Sequence, residues 1–184
     1  MKNMKKLAMV LALGMVLSLA GCGDKGEGST ASGSAAAPEE IKGETYETSL
    51  ISVLIPDGWM AFPKSDFFEE YPDEPGDPSG LMIYKDAKDD WDQFTKPGLT
   101  IEYYTPDISL VVLKDYYNDV KDLEDMTIGG CKWQGFTATS MEKPVAVVWT
   151  TEPNQIMVTC WLQADEGSIS VDDADVQAIL ASIT

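Results

Sequence analysis

The chain contains no histidine and no arginine. Its 13 basic residues are all lysines, set against 31 Asp and Glu, for a net charge of −18. Each absence removes a class of chemistry. Without histidine, Ser-His-Asp and Cys-His nucleophiles and His-bearing zinc sites are excluded. Without arginine there is no bidentate fork for phosphate, carboxylate or guanine. So acidic a surface repels the phosphate backbone, which excludes nucleic acid as a partner. It also repels anionic lipid, so membrane attachment has to be covalent rather than electrostatic. No Gly-x-Ser-x-Gly elbow occurs. Carboxylate pairs for glycoside hydrolysis can be drawn from 31 acids in too many ways to single one out. Nothing in the chain calls for a cofactor.

What is present begins with Lys2, Lys5 and Lys6, followed by an uncharged apolar stretch from Leu7 to Ala20. That is the length of a signal h-region and is too short to span a bilayer. It ends in Leu19-Ala20-Gly21-Cys22, which resembles the lipobox of bacterial lipoproteins. The resemblance implies a diacylglyceryl group on the Cys22 sulfur and cleavage between Gly21 and Cys22. Two acyl chains on one residue suffice for stable anchoring, whereas one does not. Beyond Cys22 the chain is rich in Gly, Ser, Ala and acid and lacks aromatics up to Gly43. Such a segment buries too little apolar area to offset its chain entropy and reads as a disordered tether. The expected organisation is a lipoprotein signal peptide over 1–21, a lipidated flexible linker over 22–43 and one folded domain over 44–184.

Within the domain, Leu50–Ile55 is a β-rich run stopped by Pro56-Asp57-Gly58, and Leu81–Tyr84 is a second. Leu99, Ile101 and Tyr103 alternate with Thr100, Glu102 and Tyr104 in a period of two. Thr105, Pro106 and Asp107 suit a helix start. Ile108, Val111, Val112 and Tyr116, with Leu110, Leu113, Tyr117 and Val120, predict a helix buried on much of its circumference. Turn signals at 141–144 and 152–155 separate three strands of an antiparallel meander. Tight turns there place Phe136 opposite Trp149 and Ala138 opposite Val147. They also place Val145, Val147 and Trp149 opposite Leu162, Cys160 and Val158, all on one apolar face. Cys131 and Trp133 fall out of phase with Phe136 and Ala138, which predicts a β-bulge at Gly135. Val176, Ile179, Leu180 and Ile183 follow helical spacing, and Asp172, Asp173 and Asp175 suit the start of that terminal helix.

With Cys22 lipidated, Cys131 and Cys160 remain. The expected register sets Cys160 level with Ala138, with Cys131 seven residues away along the outer strand, roughly 20 Å. A disulfide needs Cα atoms within about 7 Å, so both thiols are expected to be free.

The order is a strand running into Ile55-Pro56-Asp57-Gly58-Trp59, then strands, a helix, a meander preceded by Gly129-Gly130, and a final Ile179-Leu180-Ala181-Ser182-Ile183. It resembles the PsbP-like family over about residues 45–184. The resemblance implies an α+β fold: a central antiparallel β-sheet flanked by helices, a PsbP-like α/β/α sandwich. Metal binding in photosynthetic members involves histidine, which this chain lacks, so that role does not carry over.

The site candidates are few. Trp59, after its turn, either lines a pocket or plugs the end of the sheet. The long loop over 56–80 carries Phe62, Phe67, Phe68 and Tyr71 and reads either as a binding element or as a cover for the sheet. One acidic cluster, Asp66, Glu69, Glu70, Asp73, Glu74 and Asp77, lies in that loop. A second comprises Asp86, Asp89, Asp90 and Asp92. Their oxygen ligands suit Ca²⁺, but neither cluster has the EF-hand pattern, and solvated loops explain them as well. The functional expectation is an extracytoplasmic, membrane-anchored lipoprotein, not an enzyme, whose domain binds a protein partner or small-molecule ligand. A solute- or metal-capturing accessory of a transporter is the alternative, and a carboxylate-based hydrolase stands behind that.

Overall fold

The computed structural model describes residues 41–64 and 77–184. The chain enters through a hairpin, β1 (Gly43–Glu47) and β2 (Ser52–Pro56), with Glu44 opposite Ile55. Its turn is held by Thr48 Oγ1, which accepts from the Leu50 and Ile51 N–H groups at 3.1 and 2.8 Å. The main sheet follows: β3 (Trp59–Lys64), β4 (Asp77–Lys85), β5 (Gly98–Tyr104), β6 (Asn118–Asp122), β7 (Met126–Ile128), β8 (Cys131–Ser140), β9 (Lys143–Thr150) and β10 (Gln155–Trp161). Its order is β3-β4-β5-β10-β9-β8-β6, with β7 beside the first half of β8, and all its pairs are antiparallel. A small hairpin, β11 (Gln163–Ala164) and β12 (Gly167–Ser168), leads to helix α1 (Ala174–Ser182).

The two faces of the sheet are covered differently. On one, Leu81, Ile83, Leu99, Ile101, Val148, Val158 and Cys160 join Val53 and Ile55 of β2 and Val176, Ile179 and Leu180 of α1 in the main core. The α1 residues recur at helical spacing, so one stripe of the helix is buried. Each such aliphatic side chain contributes roughly 1.5–3 kcal/mol on burial. The end of the helix is tied to β2 through Leu54 N–H donating to Ser182 Oγ at 2.8 Å and a reciprocal Ser52–Thr184 backbone pair at 2.9 and 3.0 Å. Gly129 fits the same junction. Its φ is +61°, and a Cβ there meets the Ala181 carbonyl oxygen at 2.5 Å, so only glycine suits the position.

The opposite face carries Phe136, Ala138, Val145 and Val147, with Val112, Tyr117, Val120, Trp149, Met157 and Trp161 packed on them. This corrects the expected α/β/α sandwich. No α-helix lies between β5 and β6; the segment expected to be helical over 105–120 crosses this face as irregular chain and ends in β6. Its β-branched residues, Ile108, Val111 and Val112 among them, lose side-chain freedom in a helix. Irregular chain with a 3₁₀ turn at Lys114–Tyr116 lets Val112, Tyr117 and Val120 reach the second core while Ile108, Val111, Leu113 and Tyr116 stay exposed. Among the described residues α1 is the one α-helix, and the architecture is a predominantly β sheet with helical cover on one face.

The meander register also differs from expectation. Phe136 lies opposite Val147 and Ala138 opposite Val145. That is a two-residue shift, which keeps each side chain on its expected face. Between β9 and β10 the shift is one residue: Val147 pairs with Thr159 and Val148 with Val158. Val158 and Cys160 therefore lie on the opposite face from Val145 and Val147. The cause is β9 itself, where Val145, Ala146, Val147 and Val148 are all buried. A strand apolar on both faces carries no alternation to set its phase. The expected bulge at Gly135 is absent as well: β8 runs in unbroken register against β9, and the irregularity falls on the β6 side, between Asn118 and Lys121. Trp133 and Phe136 are out of phase because they bury opposite faces of one continuous strand. Gly135 provides close approach, since a Cβ there lies 2.9 Å from Val148 Cγ1.

Candidate functional site

Two clefts open at different places on the domain. The first, about 340 Å³, lies where the β1–β2 hairpin turns into β3 and is lined by Glu44–Tyr46 and Ile55–Ala61. Trp59, one of the sequence candidates, sits in its wall and is buried. Its Nε1–H donates to Asp175 Oδ2 at 3.1 Å, and the Lys85 ammonium lies 5.8 Å from its ring centroid and 4.0 Å from the same carboxylate. The indole is thus committed to the first turn of α1. Phe62 lies in β3, half-buried. Phe67, Phe68 and Tyr71 lie outside the described residues, as do Gly21 and Cys22.

The second cleft, about 270 Å³, lies at the end of the β8–β9 ladder and is lined by Asp125, Lys132, Trp133, Gln134, Trp149, Thr150, Thr151 and Glu152. Register explains the assembly: Gln134 pairs with Trp149 as the last rung of the ladder, and β7 brings Met126 opposite Trp133. Thr150 is buried and closes the adjoining turn, its Oγ1 donating to the Glu152 carbonyl at 3.0 Å. Trp149 is half-buried, and its ring lies 6.1 Å from that of Phe136. Trp133 is 2% exposed, and its Nε1–H is buried with no hydrogen-bond partner among the described residues. A buried donor left unmade costs about 1–3 kcal/mol. The side chains of Asp125, Lys132, Gln134, Thr151 and Glu152 are exposed at the rim.

The acidic cluster at 86–92 is a turn-building device. Asp89 caps a 3₁₀ turn over Asp90–Phe94, its Oδ1 accepting from Trp91 N–H at 3.0 Å. Asp92 reaches back to Lys88 N–H at 2.6 Å, and that bond, followed by Asp89 N–H, holds its carboxyl below the ordinary 3.8. Asp86, exposed, has a left-handed φ of 56°. Among the described residues no three acidic or cysteine side chains converge as a metal-ligand set.

Cys160 is fully buried in the main core and Cys131 is half-buried at the start of β8; both are free thiols. Burial pushes the Cys160 thiol from 9.0 up to about 12, which leaves it protonated and unreactive near neutral pH. Ser140-Met141-Glu142-Lys143 has the Ser-x-x-Lys spelling of acyl-transfer enzymes. It spans the two-residue turn between β8 and β9, and Lys143 Nζ donates to the Phe94 carbonyl at 3.4 Å. On the second sheet face the Glu102 carboxylate is paired with Lys64. Burial first, then the Glu102 charge, raises the Tyr104 and Tyr117 hydroxyls above their ordinary 10.0.

The Trp133–Trp149 cleft was not legible beforehand. Its residues come from three separate stretches and follow no motif. The available signal was two tryptophans near strand ends, each of which reads equally well as core. No protein-family model matches this chain, and no curated protein matches it.

Proposed function

We propose that this chain is an extracytoplasmic lipoprotein, held to the membrane by a diacylglyceryl group on Cys22, whose sheet domain captures a small ligand without transforming it. The anchor rests on the lysine-led apolar segment ending in Leu19-Ala20-Gly21-Cys22. Capture rests on one observation: Trp133, whose indole N–H is buried with no hydrogen-bond partner among the described residues, is one of the residues lining a cleft rimmed by exposed polar side chains. The structural tryptophan at the other cleft has its N–H satisfied by Asp175. Trp133 has no such partner among the described residues, and an acceptor delivered by a ligand supplies one. A capture domain on a tether at the membrane surface suits an accessory to solute uptake.

Two measurements test this. On expression of the full chain in a bacterium, Cys22→Ala moves the protein from the membrane fraction to the soluble fraction; an unchanged distribution removes the anchor. Thermal melting of the full chain in detergent with neutral sugars, glycine or Ca²⁺ tests capture. A rise in Tm with at least one probe supports it, and an unmoved Tm with all of them removes it.

A further inference from the structure

We infer that the strap over 108–116 is a self-association surface, through which two copies of this chain meet. No ligand is involved, so the inference stands apart from the capture reading. Among the described residues nine large apolar side chains are exposed, and four of them, Ile108, Val111, Leu113 and Tyr116, fall within this one stretch. Single exposed apolar residues are ordinary, whereas a concentration of them marks an interaction surface. Val112 and Tyr117 pack onto the Phe136 core, which holds the strap against the sheet and leaves Val111 and Leu113 outward. The backbone is open too. Leu110 N–H donates to Gln155 Oε1 at 3.0 Å, and the Gln155 amide donates to the Ile108 carbonyl at 3.1 Å, which fixes the start of the strap. Beyond it, the N–H groups of Val111, Val112 and Leu113 and the carbonyls of Leu110, Val111 and Val112 make no hydrogen bond among the described residues. Once a contact excludes water, these groups need protein partners. The stretch carries both donors and acceptors, so a second copy related by a two-fold axis offers what the first requires.

Charge selects the occupant. At a net charge of −18, most of the surface repels a second copy. Residues 108–113 contain no charged side chain, and Lys114, next in line, is paired with Asp122. Two copies therefore approach here with least repulsion. Asp107 and Asp115, both exposed, bracket the stretch and oppose anionic lipid. Neither cleft described above is lined by this stretch, which disfavours an enclosed small molecule. Four apolar side chains are a small centre beside the roughly 20–30 residues a side of a standard interface, so the dimer is weak and reversible.

The test is sedimentation of the full chain in density-matched detergent, with micelles in excess and protein varied across the micromolar range. The mass is expected to rise with concentration from one chain toward two. Val111→Asp and Leu113→Asp are expected to weaken association about tenfold or more, because each sets two unpaired carboxylates into the contact. Both positions are exposed, and an unchanged Tm at low concentration shows that the fold is intact. Leu50→Asp adds the same charge at an exposed position in the β1–β2 turn and is expected to leave association within about twofold. Added salt is expected to tighten the dimer by screening its acidic surfaces. A chain that stays monomeric throughout overturns the inference. So does a dimer that all three variants weaken alike, or that none weakens, and so does a dimer that salt dissolves, since ion pairs then hold it.

Discussion

The Trp59 indole N–H donates to the Asp175 carboxylate at 3.1 Å, joining the first residue of β3 to the first turn of α1 across 116 positions of sequence. The bond holds the helix over the sheet end nearest the β1–β2 hairpin. The carboxylate is one-third exposed and is also 4.0 Å from Lys85. It also sits at a helix N-terminus, where negative charge is favoured. Asp175→Ala leaves the indole donor buried without a partner and is expected to lower stability by about 1–2 kcal/mol. A double-mutant cycle with Trp59→Phe should return a coupling of about 1 kcal/mol in urea unfolding. Strict additivity of the two losses would mean that the bond contributes nothing.

The turn between β8 and β9 is built from Met141 and Glu142, with φ of 50° and 64°. Two positive values at the centre of a two-residue hairpin define the type I′ geometry, for which Asn-Gly is favoured. Replacing Met141-Glu142 by Asn-Gly is expected to raise stability by about 0.5–1 kcal/mol, with an unchanged m-value. A fall in the unfolding midpoint would show that Met141 or Glu142 makes a compensating contact.

Cys160 gives a pH signature at the alkaline end. Its thiol is pushed from 9.0 to about 12 in the folded protein by burial alone. Above pH 9.0 the unfolded chain releases this proton first, so the folded state loses ground as pH rises toward 12, by about 1.4 kcal/mol per unit. Below pH 9.0 the group contributes no pH dependence. The stability difference between wild type and Cys160→Ala should therefore shrink or change sign from pH 9 upward. A parallel pair of stability curves would mean that the thiol is accessible. In the folded state at pH 8, iodoacetamide should reach half-buried Cys131 and leave Cys160 unlabelled.

Adjacent tyrosines should behave oppositely. Tyr116 is 80% exposed, and Tyr116→Ser is expected to change stability by no more than about 0.5 kcal/mol. Tyr117 meets Phe136 edge-on, with ring centroids 5.2 Å apart, in the second core. Tyr117→Ala is expected to cost about 2–4 kcal/mol, because it removes an aromatic pair and part of the cover of that face. Thermal melts of the two variants check this directly; similar losses would restore a helix with both residues on buried faces.

Some of the architecture follows from local pattern. β5 alternates Leu99, Ile101 and Tyr103 with Thr100, Glu102 and Tyr104, because one of its faces meets the main core and the other carries polar groups. The stripe of Val176, Ile179 and Leu180 similarly identifies α1. Where burial is two-sided the pattern goes silent. β9 is apolar on both faces, so its pairing with β10 was one residue off, and Val158 and Cys160 were placed on the wrong side of the sheet. The segment over 105–120 has apolar residues at helical spacing, yet its β-branched residues and the second core favour irregular chain that leads into β6.

Composition and order along the chain determined the chemistry this protein lacks, the anchor expected at Cys22, and the position of most strands and the last helix. Those properties are carried by residue type and short-range spacing, which survive without a fold. Tertiary structure decided the phase of β9 against β10, the paired state of Trp59 and the lack of a partner for the Trp133 N–H among the described residues. Each depends on which backbone or side chain arrives from elsewhere. The Trp59 indole N–H is satisfied because Asp175 arrives from α1, and the Trp133 indole N–H has no partner among the described residues because no acceptor arrives there.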